Sequence, residues 1–384
     1  MKNELGWLEV LIASAATLAP AMVVATLGIT VPEIRETLLL SEVQAGSLFS
    51  IIFIVAVVSS NVAGRLSDKL GRKLVLITGA SSLSLGFALS GLAGSYVVML
   101  VALGWVGLGY GFITPSLFAL MSDLMPGRRG LATSLVSVFY GLGGLSGAMI
   151  ASSLTAWAGW RAAFLAVSGL GMLVTLIEMA LVKGSRGSAL PNRSTSLRDT
   201  LHRNLVLLAL AEFFGAAVFW STASWAPTVL RTVKGLSLSE TGILMGAWGV
   251  TPMIGALILG ALSDRFGRKK VILWTAYPAA LAAFVVYYLL TGPVPLAIGL
   301  TLIGTLHGSV PALVIALTQD SAPPDAIGAA SGIVMSLHYV SAVATPLIAA
   351  QLIAGTGDML LTMVLTTAVP FALFGSLVAA VREK

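Results

Sequence analysis

Glu212, His307 and His338 are ionisable side chains that fall near the middle of long apolar runs. Glu212 lies about nine residues into its run, roughly 13 Å at the rise of a helix. His307 stands about twelve residues from one end of its run and His338 about eleven residues into the next, at the same helical rise. Apolar surroundings disfavour a bare carboxylate, so a carboxyl at this depth suits the binding and release of a proton. Imidazole titrates near neutrality unaided, which makes the two histidines the next candidates for that chemistry. By ligand type the three side chains suit a metal ion. Nothing in their spacing makes them converge, so neither a metal site nor a cofactor is expected.

Two tyrosines extend this set through an internal repeat. Gly64-Arg65-Leu66-Ser67-Asp68-Lys69-Leu70-Gly71-Arg72-Lys73 recurs as Gly260-Ala261-Leu262-Ser263-Asp264-Arg265-Phe266-Gly267-Arg268-Lys269, 196 residues later, with seven of ten positions identical. Asp123-Leu124-Met125-Pro126 is matched by Asp320-Ser321-Ala322-Pro323, and Gly107 and Gly111 by Gly304 and Gly308, each at an offset of 197. Ser41-Glu42 is matched by Ser239-Glu240 at 198. Such spacing predicts two homologous halves. The same offsets carry His307 onto Tyr110 and His338 onto Tyr140. Tyr110, Tyr140, His307 and His338, with Glu212 beside them, are therefore the candidates for lining a binding cavity. Trp220 and Asn61 join them as weaker candidates, with Trp105, Trp225 and Trp248, because Trp also serves packing and interfaces.

The elements that position these residues are long apolar helices. Hydrophobic residues make up 57% of the 384 and charged residues 10%, against about 25% charged in an average soluble domain. Twelve runs are long enough to span a bilayer: 7–31, 43–64, 74–94, 96–121, 130–155, 161–182, 203–229, 239–261, 270–290, 294–319, 327–353 and 359–381. The expected domains are an N-terminal six-helix bundle over 1–182, a polar linker over 183–202 and a C-terminal bundle over 203–384. The first run is too long for a cleaved leader and reads as a retained helix.

Charge sets the orientation. With the N-terminus inside, 18 of the 22 Lys and Arg fall in inner segments, and only Arg35, Arg161, Arg231 and Lys234 fall outside. Both termini are then expected in the cytoplasm of a protein of the cell membrane. The net charge of +6 is thereby topological and gives no reason to invoke nucleic acid. No Lys or Arg is left for the middle of a helix, which disfavours phosphate, nitrate and dicarboxylates as ligands. There is no cysteine, so thiol and disulfide chemistry are excluded, and the short loops show no catalytic constellation. An enzyme is not expected.

With twelve runs, a basic central loop and the paired G-x-L-S-D-[KR]-x-G-R-K segments, the chain resembles the major facilitator superfamily. Gly159-Trp160-Arg161-Ala162-Ala163-Phe164 is similar to another recurrent segment of that family. The resemblance covers essentially the whole chain. It implies an all-α membrane protein with two pseudo-symmetric bundles, working as a secondary transporter by alternating access. It further implies that Asp68, Arg72, Asp264 and Arg268 act in gating. Asp68 would approach the helix start near Asp325 and Ala326, and Asp264 the one near Gly130, where a helix N-terminus favours an anion.

Two patterns of the family's proton-driven drug antiporters are incomplete. Leu103 stands where they carry an intramembrane Arg, and the glycine-rich stretch from Gly141 to Gly147 has no proline. The glycines of that stretch are expected to permit close helix packing. The cargo expected is a small neutral or monocarboxylate-like organic solute, moved with a proton held at Glu212. Efflux of lipophilic or cationic drugs and uncoupled facilitation are the alternatives. A monomer in the lipid bilayer is expected.

Overall fold

A computed structural model describes residues 2–125, 129–183, 202–323 and 326–382, without side-chain detail at several positions, Asp68 among them. The linker expected over 183–202 lies almost wholly outside the described residues. Among them there is no strand, and twelve helices are long and apolar enough to cross a membrane. They are α1 Gly6–Leu38, α2 Glu42–Ser67, α3 Arg72–Gly91, α4 Tyr96–Leu124, α5 Ser134–Ala158, α6 Trp160–Leu181, α7 Arg203–Thr232, α8 Leu238–Phe266, α9 Arg268–Leu289, α10 Pro293–Ser321, α11 Ala329–Thr356 and α12 Met359–Ala379. Several outrun the apolar stretches that predict them. The helix containing 7–31 continues through Glu33, Arg35 and Glu36 to Leu38, because polar side chains end an apolar run without ending backbone hydrogen bonding.

The chain divides into two compact units, Met1–Pro191 and Asn192–Lys384. The first packs α4 against α2 and α3, α3 against α6, and α1 against α5. The second repeats this pattern, with α10 against α8 and α9, α9 against α12, and α7 against α11.

The repeat extends to local chemistry. Gly71 and Gly267 sit at φ +97° and +92° in the turns α2–α3 and α8–α9, a conformation costly for residues with a Cβ. Gly143 and Gly147 let α5 close on α1: a Cβ on Gly143 would meet Ala21 Cβ at 2.8 Å, and one on Gly147 would meet Met22 Cα at 2.6 Å. The helix starts correct one sequence correspondence. Ser41 with Gln44 and Ser237 with Glu240 form the capping boxes that open α2 and α8. The structural equivalent of Ser41 is thus Ser237, 196 residues on, rather than Ser239. The cap is fixed by the acceptor side chain three residues ahead, and that rule places it two residues earlier than the Ser-Glu match.

Two π-helical turns interrupt the second unit, Val285–Leu289 in α9 and Val364–Ala368 in α12. Both hydrogen-bond to the middle of α7. Thr222 Oγ1 lies 3.3 Å from Tyr287 Oη, and Ser221 Oγ lies 2.6 Å from Thr366 Oγ1.

Candidate functional site

In the second unit the deep carboxyl and one of the two deep imidazoles meet. Glu212 is fully buried in α7, and Nδ1 of His338 on α11 stands 2.8 Å from its Oε1. The His338 side chain keeps 17% exposure while that of Glu212 has none. Glu212 Oε2 has no hydrogen-bond partner among the described residues. With the acid ionised, Nδ1–H donates to Oε1. One proton taken up by this dyad removes its net negative charge, whichever group carries it.

The same stripe of α7 carries an arc of rings. Glu212, Gly215, Phe219 and Trp220 recur at helical spacing on one face. Trp220 stands edge-on to His338 with centroids 6.1 Å apart, and Phe219 lies 5.0 Å from Trp220. Phe219 in turn stacks on Trp248 of α8 at 5.1 Å and lies 5.8 Å from His307 of α10. Phe371 of α12 closes the arc, 6.1 Å from His307. His307 is buried, and its Nε2–H donates to the Gly215 carbonyl at 3.2 Å. Glu212, His307, His338 and Trp220 are thus joined, directly or through neighbouring rings, within one unit.

Phe219 and Phe371 are ring neighbours that sequence reasoning missed. For Phe219 the signal was present, since it stands seven residues after Glu212 and therefore on its face. Trp225 has a structural duty instead: its buried indole N–H donates to the Pro346 carbonyl at 3.1 Å and ties α7 to α11.

The first unit brings the two tyrosines together. Tyr110 Oη of α4 and Tyr140 Oη of α5 are 3.5 Å apart, and Phe53 of α2 meets Tyr110 edge-on at 5.3 Å. Asn61 stands outside this group. It is exposed, and its amide donates to the Val57 carbonyl of its own helix at 3.0 Å. Trp105 is half exposed on the surface of the unit.

The basic ends of the duplicated segments clamp helix ends within each unit. Arg72 donates to the Ala119 carbonyl and pairs with the Asp123 carboxylate, both near the end of α4. Arg268 reaches the Ala316 carbonyl and the Asp320 carboxylate at the end of α10, each at 2.5 Å. Lys73 caps the Met179 carbonyl of α6 at 2.8 Å, and Lys269 caps the Val381 carbonyl just past α12 at 2.7 Å. Cations belong at these sites, where the last carbonyls of a helix lack partners. Asp264 is exposed, with no ion pair to it among the described residues. Asp325 and the side-chain detail of Asp68 lie outside the described residues, as do the side-chain surroundings at position 130.

Glu178 is an unanticipated feature. Two turns from the end of its run, it reads from sequence as able to reach the membrane surface. Instead it is fully buried in α6, and neither carboxyl oxygen has a hydrogen-bond partner among the described residues. Close packing of α6 on α3 and α1 encloses it. Glu9, by contrast, does reach the end of α6, accepting from the Lys183 backbone N–H at 2.6 Å.

Comparison with known proteins fits this architecture. Residues 13–346 match the Major Facilitator Superfamily, and the chain belongs to that family. It is 30% identical over 246 residues to the 3-(3-hydroxy-phenyl)propionate transporter of Escherichia coli strain K12, covering 62% of this chain and 60% of that one. It is 24% identical over 263 residues to the probable sulfoacetate transporter SauU of Cupriavidus necator, covering 63% and 61%. The chain therefore spans about three fifths of the length of these relatives. The fold is similar to that of the nucleoside transporter NupG, with a TM-score of 0.84, 13% identity, and coverage of 99% of this chain and 100% of that one.

Proposed function

We propose that this protein is a secondary transporter that carries a small organic acid, a monocarboxylate, together with a proton. The observation that carries the reading is the Glu212–His338 pair, a buried carboxyl in contact with a partly exposed imidazole. Proton uptake by the pair leaves the imidazole side able to hold an organic anion. Loss of the proton restores the negative charge and releases that anion. Relatives named for 3-(3-hydroxy-phenyl)propionate and for sulfoacetate, both organic acids, support this cargo class. The Tyr110–Tyr140 pair supplies hydroxyls in the first unit. Both termini are cytoplasmic in this reading, the host is the cell membrane, and the transporter works as a monomer.

Reconstituted protein tests the reading. Uptake of labelled organic acids into proteoliposomes, with and without an imposed pH gradient, is compared for wild type and Glu212→Gln. Wild type accumulates its cargo only with the gradient. Glu212→Gln, which mimics the protonated acid, keeps counterflow and loses gradient-driven accumulation. If both respond equally, Glu212 does not couple.

One observation favours a second reading. The unpartnered Glu212 Oε2 is an acceptor for a lipophilic cation, and proton-driven efflux of such a cation reverses the direction of movement relative to the gradient. The same vesicles distinguish the two by the sign of the response. No response at all indicates a facilitator without coupling.

A further inference from the structure

We propose that Trp248 and His307 form a hydroxyl-recognition point, and that the preferred cargo is an aromatic monocarboxylate bearing a hydroxyl group. This rests on the organic-acid reading above and deepens it.

The argument starts from the tautomer of His307. Its Nε2 lies 3.2 Å from the Gly215 carbonyl, and a carbonyl oxygen only accepts. Nε2 therefore carries the ring proton, and in the neutral imidazole Nδ1 is left as an acceptor. That Nδ1 is buried and has no partner among the described residues. The indole Nε1–H of Trp248 only donates, and it too is buried without a partner among them. Both rings are at most 5% exposed. Buried polar atoms are nearly always satisfied, so one orphan calls for an explanation and a complementary pair calls for a shared one.

The two atoms belong to one patch. Trp248 Cδ1, bonded to Nε1 in the ring, packs on α10 at Gly304, where an added Cβ would come within 3.2 Å of it. Gly304 and His307 are three residues apart in α10, on the same helical face. Phe219 lies beside both rings, stacked on Trp248 and tilted at 32° to His307.

A group suited to this patch must accept from Trp248 and donate to His307. A hydroxyl does both. A carboxylate does not, because its lone pairs would face that of Nδ1. The carboxylate of the cargo belongs at His338, reached from Phe219 through Trp220. Phe219, half-buried between the two ends and backed by Trp248, offers a ring that suits an aromatic cargo.

Isothermal titration of purified protein at pH 6 with 3-hydroxybenzoate and with benzoate tests this. One hydrogen bond lost to an unpaired buried group is worth about tenfold in affinity. Wild type is expected to bind the hydroxylated acid at least about tenfold tighter. Trp248→Phe and His307→Phe should each cut that preference to about threefold or less. Either variant alone suffices if the other does not fold. Equal affinity of wild type for the two acids, or a preference that persists in a folded variant, overturns this inference and leaves the organic-acid reading standing. Binding of neither acid overturns the inference and counts against that reading as well.

Discussion

Arg72 and Arg268 are structural repeats of one another. Placed 196 residues apart, each reaches a backbone carbonyl and an acid at the end of the fourth helix of its own unit. The two clamps differ in burial, with side-chain exposures of 11% for Arg72 and 32% for Arg268. Asp123, at 31% exposure against 56% for Asp320, is also the less hydrated of the two acids, so losing Arg72 leaves the poorer solvation behind. Arg72→Ala should cost about 1.5–3 kcal/mol and Arg268→Ala about 1 kcal/mol or less. Thermal unfolding in one detergent measures both, and the larger drop for Arg268→Ala would contradict the burial argument.

We propose for Asp68 the gating role that its family motif implies. A residue that acts on the change of state rather than on the cargo alters rate more than affinity. Asp68→Asn should slow counterflow about tenfold or more while cargo affinity stays within about threefold. Normal turnover with lost binding would make Asp68 a ligand residue instead.

Glu178 is enclosed without a hydrogen-bond partner. Replacing an unpaired buried polar group by an apolar one of similar size removes a desolvation cost. Glu178→Met should therefore stabilise the protein by about 1–3 kcal/mol, read as a rise in melting temperature. A fall would show that the carboxyl has a partner in the bilayer-embedded protein.

Much of this architecture is legible in the sequence, for a physical reason. A bilayer demands long apolar helices, and the duplicated Gly-x-Leu-Ser-Asp segment fixes where they turn, because Gly71 and Gly267 must adopt positive φ. Depth is legible too, since rise per residue places Glu212 and His338 at a common level. Which face of a helix turns inward is less so. Glu178 and Glu212 are both carboxyls in apolar runs, and only packing shows that both are enclosed. Asp123 and Asp320 were visible as a matched pair, but their contacts with Arg72 and Arg268 depend on how α3 packs on α4 and α9 on α10. The orphan atoms of Trp248 and His307 depend on side-chain directions that no periodicity encodes.

Glu212 and His338 permit a sharper energetic test, because the contact joins two helices 126 residues apart in sequence. Glu212→Gln keeps an oxygen to accept from Nδ1–H, so it should cost less than about 1.5 kcal/mol. His338→Phe preserves ring volume but leaves a buried acid with no partner at either oxygen. Breaking a buried pair from one side costs about 3–5 kcal/mol when the stranded group stays charged. The double variant Glu212→Leu with His338→Phe removes the charge along with its partner, and should recover most of that loss. With the single variant Glu212→Leu measured beside His338→Phe and the double, a double-mutant cycle on chemical or thermal unfolding gives a coupling energy of about 0.5–3 kcal/mol. A cycle that closes to zero would mean that the two side chains do not interact in the folded protein, and the proton would have to be sought on His307 or Glu178.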